Sequence, residues 1–471
     1  MRKVCYGAVA LLATVAGAPQ AFSAPPAAPD FVDQLFQPWA SGETPGCAVA
    51  ASHNGRTVLS RAYGAADLDH GVRNTPATVF EAGSASKQFT AAAILLLVEE
   101  GRLALTDDIR KHLPEMPVYR EVITVDHLLH HTSGLRDWRY VAGVAGDLPG
   151  ERAHSNADAL AIAVRQRGLN HPTGIQYAYT NTGYTLLAVI VERVSGKSLA
   201  AFSNERLFRP LGMTSTQWRD DFRRVIKARA RAYARVGDGY AEDMPFESAY
   251  GAGGLMTTVG DLLIWNNALD TARLGARVTA RLQEPGRLND GQPITYARGL
   301  FIERQNGALE AAHRGVTGGY RAWLGRYPEH RVSVAILCNG VGEPEAMGRQ
   351  IAARFLPTTP DAAPAAASAD AAPAVVAQPP PRWRPAPADL DVFVGRYVSD
   401  EAGATYLARL EQGRLVLRLD GRAAAPLVLS PTYQDTFVFL GGRVRFSRTR
   451  DGVDGLTIDV QRAAGLHFVR S

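Results

Sequence analysis

The sequence predicts an α/β (α+β) fold in two parts. One is an antiparallel sheet flanked by helices, with a large helical insertion in its middle; the other is a separate, small all-β barrel at the C-terminus. Three observations predict it. Strand-like runs stand at both ends of residues 31–355, with helical periodicity between them. The tract PTTPDAAPAAASADAAPAVVAQPPPRWRPAP has the composition of a semi-rigid linker. Beyond it, FVGRYVS, TYLARLE, RLVLRLD, APLVLS, TFVFL, RVRFSR, GLTIDV and LHFVRS are short strand-like runs split by turns such as Gln412-Gly413, Asp420-Gly421, Gly441-Gly442 and Asp451-Gly452.

Taken in order, Met1 to Ala24 joins a short basic start (Arg2, Lys3) to an apolar core from Ala8 to Ala18 and small residues at Ala21 and Ser23, the pattern of a secretory signal. Residues 31–42 predict a short helix. PGCAVAASHNGRTVLSRAYG predicts a hairpin, because Asn54-Gly55 between two alternating runs is a strong turn signal. Ala91 to Val98 is apolar all round and predicts a buried helix. Thr124 caps a further helix that stops near Gly134, and residues 156–167 and 182–207 are helical by periodicity. Gly253 to Thr258 turns into a helix at Val259 to Leu269, with Thr258 and Asp261 spaced as a capping box. Strand-like runs return from Tyr296, and the last two, YRAWLGRY and RVSVAILC, join at Pro328-Glu329-His330. The expected domains are a signal at 1–24, a core at 31–355, a linker at 356–387 and a barrel at 388–471.

The formal net charge of +5 is spread along 471 residues with no dense basic tract, so no nucleic-acid partner is expected. No later apolar run is long enough to span a membrane, so no integral membrane segment is expected once the signal is removed. After the signal only Cys47 and Cys338 remain, too few for a disulfide framework; both sit in strand-like apolar runs and are expected as buried free thiols, with a bridge between them as the alternative. His127 and His131 stand four apart, but without an H-E-x-x-H pattern they are read as packed histidines; no metal and no cofactor is expected.

Chemistry enters at FEAGSASKQFTAAAILLLVEEGRL. Ser84 and Lys87 are three residues apart at the start of the apolar helix, so hydroxyl and ammonium share one face. Burial would lower the lysine pKa and let it take the serine proton, while the helix start supplies N–H groups for an oxyanion. It is the only S-x-x-K in a chain with five lysines. A second group is Tyr179-Thr180-Asn181 at a loop-to-helix junction: a tyrosine hydroxyl can relay a proton, and an asparagine amide can hold Lys87 and a substrate carbonyl. A third is His313-Arg314-Gly315 on a strand, where the glycine admits substrate to the backbone.

With these three groups in this order, the chain resembles the serine β-lactamase and penicillin-binding-protein superfamily, in its class C-like branch of β-lactamases, esterases and D-amino-acid peptidases. The phrases HTSGL, TNTGYTLLAVIVERVSG, PLGM and GAGGLMTTVGDLLIW carry the resemblance over residues 31–355. It implies that Ser84 is the acylated nucleophile, that Lys87 and Tyr179 form the general-base pair, and that Asn181 binds substrate and lysine. It also implies an oxyanion hole made by the N–H groups of Ser84 and Val316, beside His313 and Gly315. The C-terminal part resembles the lipocalin-like domain appended to some of these hydrolases. One departure stands out: His313 occupies the place of the lysine in the family's Lys-Thr-Gly, as in D-aminopeptidase-type members, so a substrate carboxylate loses that cation; Arg314 is the alternative source of charge, although its side chain is expected on the face of the strand opposite His313.

The expected protein is therefore a periplasmic or secreted serine hydrolase acting on small-molecule or short-peptide esters and amides, D-amino-acid peptides among them. Homo-oligomerisation is expected through the barrel. A β-lactamase or D-Ala-D-Ala carboxypeptidase is the enzymatic alternative, and a non-catalytic sensor or binding protein the other.

Overall fold

The run CAVAAS shows no polar alternation because the strand it forms is covered on both faces. Strands β1 (Cys47–His53) and β2 (Arg56–Tyr63) form the predicted hairpin, with Asn54 and Gly55 both at positive φ in a two-residue turn. With β3 (Phe301–Gln305), β4 (Ala308–Thr317), β5 (Tyr320–Tyr327) and β6 (Val332–Cys338) they make a six-stranded antiparallel sheet in the order β3-β4-β5-β6-β1-β2. The computed structural model describes residues 28–147, 150–340, 342–357 and 383–471. The expected signal and most of the expected linker lie outside these residues.

On one face Cys47, Val49, Ala51, Val334 and Ile336 pack with Val32 and Phe36, and with Met347 and Ile351 of the helix Pro344–Ala352. On the other, Ala48, Ala50, Ala335 and Leu337 meet the insertion between β2 and β3. Its central helix, Lys87–Glu99, is buried nearly all round and packs beside the helices Asn181–Ser195 and Val259–Asp270. Sequence-distant ends thus meet in one sheet, as the strand runs at both ends predict.

Four local expectations are corrected. Cys47 and Cys338 are not free thiols but a disulfide. They are register partners on neighbouring strands 291 residues apart in sequence, a pairing that tertiary register sets and spacing hides. The helix capped by Thr124 runs only Val125–Leu129, because His131 takes φ +57°. The helix from 182 ends at Ser195 with Gly196 left-handed, and a short helix follows at Leu199–Ser203. Asp261 leaves its capping box one-sided: Thr258 Oγ1 accepts from Asp261 N, but the Asp261 carboxylate turns to Ser215 N and Thr216 Oγ1.

The C-terminal residues form a nearly closed nine-stranded antiparallel barrel, one strand more than the runs suggested because APLVLS divides at Leu429. Two of its strands matter below, β7 (Gly452–Val460) and β8 (Ala463–Arg470), joined by the turn Gln461-Arg462. The interior is filled by Phe393, Tyr397, Phe437, Phe446, Leu456, Ile458, Leu466 and Phe468. The same apolar cluster takes in Trp138, Val141, Ala142 and Val144 of the helix Trp138–Val144, so the barrel shares core with the insertion.

Candidate active site

Ser84 lies in a single 3-10 turn, Gly83–Ser86, that leads into the helix Lys87–Glu99. Lys87 is 0 % exposed. Its Nζ donates to Ser84 Oγ at 3.1 Å, to Asn181 Oδ1 at 3.0 Å and to the Ala252 carbonyl at 2.7 Å, and it lies 4.7 Å from the centre of the Tyr179 ring. The sequence-predicted Ser84, Lys87, Tyr179 and Asn181 therefore meet at one point.

The acceptors around Lys87 are themselves held. Thr90 Oγ1 donates to Gly251 O, and Gly254 N donates to Glu81 Oε1 at 3.0 Å. Glu81 and Arg219, each 1 % exposed at the side chain, pair at 2.9 Å. On the other side, Asp137 Oδ2 accepts from both Asn181 N (2.8 Å) and Asn181 Nδ2 (3.0 Å), which fixes the amide so that its oxygen faces Lys87.

The strand β4 closes the site. Gly83 has φ +50°, and a Cβ there would stand 2.7 Å from Val316 N; a Cβ on Gly315 would strike Ala82 O at 1.9 Å. Glycine at both places is what lets the serine turn and the strand touch backbone to backbone. Thr317 and Tyr320 close a two-residue turn and so form the hydrogen-bonded kind of pair. The next pair, Val316 with Arg321, then directs its N–H away from β5 and toward the serine turn. Ser84 N belongs to the first helical turn, whose N–H groups have no partner within the helix.

His313 is buried at 1 % exposure. Its Nδ1 donates to Arg314 O at 2.6 Å and its Nε2 accepts from Tyr296 OH at 3.1 Å. Burial first, then the charge of Lys87, pushes its pKa down to about 3, so it is neutral and brings no cation to the cleft. His131 is wholly buried beside Tyr179, Tyr184 and Tyr296, with Nδ1 accepting from Thr180 N, while His127 completes the cap at Thr124. His131 is thus a buried core histidine and His127 a capping one.

A cavity of about 370 Å³ opens over Ser84, bordered by Tyr179, Asn181, His313, Val316 and the barrel's Gln461 and Arg462. No sequence pattern marked Asp137, Tyr296, Arg462, or the Glu81–Arg219 pair. Asp137 follows the quoted HTSGL by two residues, so proximity to that phrase was its one signal; Arg462 had none.

The Beta-lactamase family model matches residues 31–359. The chain is 31% identical over 313 residues to penicillin-binding protein 4* of Bacillus subtilis, covering 62% of this chain and 67% of that one. It is 28% identical over 321 residues to a D-aminopeptidase of Gluconobacter oxydans, covering 66% of this chain but 59% of the relative, so it spans less than two thirds of that protein. Among solved structures, the octameric penicillin-binding protein homologue from Pyrococcus abyssi superposes with TM-score 0.60 at 23% identity over 94% of this chain and 99% of that one. D-amino acid amidase from Ochrobactrum anthropi gives 0.58 at 21% over 69% and 97%.

Proposed function

Because the chain belongs to the beta-lactamase family and is a serine hydrolase, we propose that it cleaves small esters or amides, D-amino-acid peptides among them, through an acyl-enzyme on Ser84. One observation carries the reading: a fully buried lysine 3.1 Å from a serine hydroxyl at the floor of a cleft. When deprotonated, Lys87 takes the Ser84 proton as Oγ attacks the substrate carbonyl. The N–H groups of Ser84 and Val316 receive the developing oxyanion. Tyr179 stands between Lys87 and the cavity and passes the proton to the departing oxygen or nitrogen. Water then enters along the same path and releases the acid.

Asn181 orients Lys87 through Oδ1, and the backbone of β4 from His313 to Val316 receives the acyl chain, Gly315 giving the close approach. The neutral His313 supports the ester and amide assignment over one that depends on a strand cation. A carboxypeptidase or β-lactamase reading is favoured by one observation alone, the arginines bordering the cavity. Export is supported by the Cys47–Cys338 disulfide, since disulfides persist in oxidising compartments; among the described residues no helix is long and apolar enough to cross a membrane. Oligomerisation is supported by the octameric penicillin-binding protein homologue of like fold.

The test is a hydrolysis panel of p-nitrophenyl esters, D- and L-aminoacyl amides, a D-Ala-D-Ala peptide and a cephalosporin. Turnover of esters or D-aminoacyl amides, lost by about three orders of magnitude or more in Ser84→Ala, is expected. Turnover confined to the cephalosporin or the D-Ala-D-Ala peptide contradicts the assignment.

A further inference from the structure

The β7–β8 turn of the barrel reaches the serine site and is bolted there. Arg462 O accepts from Asp137 N at 2.8 Å and from Asn170 Nδ2 at 3.0 Å. Ala464 N donates to Asn170 Oδ1, and Arg136 donates to Ala464 O at 2.7 Å and to Gly465 O at 2.8 Å. Tyr140 OH donates to Gln461 Oε1 at 2.7 Å. Asp137, which holds the backbone of the turn, is the same residue that orients Asn181 against Lys87. The position of Arg462 is thus tied to the catalytic group by three consecutive hydrogen bonds.

Its guanidinium lies 4.9 Å from the centre of the Tyr179 ring and 6.0 Å from that of Tyr140. Among the described residues no carboxylate pairs with it, and the side chains bordering the cavity include no acid. Arg139, by contrast, is already paired with Glu247 at 2.6 Å. A guanidinium held on an aromatic face with its N–H fork open to a cleft is suited to a carboxylate, which it can bind by two parallel hydrogen bonds.

We propose that Arg462, delivered by the barrel, binds a carboxylate on the leaving-group side of the substrate, making the barrel a specificity element of the serine site. The leaving-group side follows from its seat on Tyr179, the residue that hands a proton to the departing atom. The proposal rests on the reading of Ser84 as the acylated group. It reverses the expectation that a histidine in the third motif leaves the cleft without a cation for a carboxylate: the cation comes from another part of the chain.

The experiment compares the full-length protein with Arg462→Gln and Arg462→Lys. Each is given 4-acetoxybenzoate and its neutral partner 4-acetoxybenzamide, whose leaving groups are alike in shape and differ in charge. Taking the ratio of kcat/KM values between proteins cancels the intrinsic reactivity of the esters. Arg462→Gln is expected to lose about ten-fold or more on the benzoate and less than about two-fold on the benzamide, chiefly in KM, with Arg462→Lys recovering part of the loss. Equal changes on both esters, or none, overturn the proposal.

Calorimetry with the products 4-hydroxybenzoate and 4-hydroxybenzamide gives a readout independent of catalysis, and the same selective loss is expected. If a phosphonate fails to label Ser84 while benzoate binding still depends on Arg462, the acyl-enzyme reading fails and the subsite stands. If Ser84 is labelled and neither turnover nor binding discriminates, the subsite fails and the acyl-enzyme stands.

Discussion

His313 and His131 sit on either side of Tyr296, both buried and both near Lys87. Burial, reinforced by the lysine charge, holds His313 down to about 3 and His131 well below the usual imidazole range. The unfolded chain titrates near pH 6.5, so between about pH 6.5 and 3 it binds protons that the folded chain does not. Stability from these groups is therefore present above that window and lost as pH falls through it, by up to about 1.4 kcal/mol per pH unit for each histidine. Urea unfolding at pH 7 and pH 5 should differ by a few kcal/mol, with the protein weaker at pH 5; equal midpoints would contradict the buried neutral assignment. Asp107, held down to about 2, adds its loss only at lower pH, so the two effects separate. The Ser84–Lys87 pair was legible in sequence because both groups lie on one turn of chain, where local geometry alone brings them together. His313 was legible as a site residue, but its neutrality was not fully so: that depends on Tyr296 and Phe301, which only the folded sheet brings to it.

The insertion's helix Trp138–Val144 joins site and barrel, since its N-cap Asp137 serves Asn181 on one side and the barrel turn on the other. Just before it, Arg136 is buried and meets Glu401 of the barrel at 2.9 Å, with side-chain exposures of 4% and 9%. Removing one partner of such a pair leaves an uncompensated buried charge, commonly about 3–5 kcal/mol. Glu401→Ala should lower the unfolding free energy by about 3 kcal/mol, partly relieved by the carbonyls of Ala464 and Gly465 that Arg136 also binds. Chemical denaturation measures it, and a change below about 0.5 kcal/mol, as at an ordinary surface site, would show that the barrel is loosely attached. Turn residues and alternation made the barrel's strands readable from sequence, because hairpins are local. Its docking was not readable: Arg136, Glu401 and Arg462 carry no motif and acquire their meaning only from one another.

For the whole molecule, the two ends of the core close on each other through β1 and β6 and the Cys47–Cys338 bond, while the barrel turn Gln461-Arg462 borders the cavity over Ser84. A chain ending at residue 357 keeps the sheet and all three motifs, but it uncovers Trp138, Val141, Ala142 and Val144 and strands Arg136. Such a truncation should melt roughly ten degrees or more lower and lose any preference that Arg462 confers; an unchanged transition would mean that the barrel contributes nothing to the core. That strands from both ends of the core share one sheet was legible because apolar strand-like runs stand there; their order came from the structure. The disulfide was not, because it depends on a register fixed across 291 residues. Acylation of Ser84 with Lys87 as its base is read out by mass spectrometry after treatment with a fluorophosphonate probe. One adduct per chain on the peptide containing Ser84, absent in both Ser84→Ala and Lys87→Ala, is the predicted result; an adduct mapped elsewhere, or one that persists in Ser84→Ala, would contradict it.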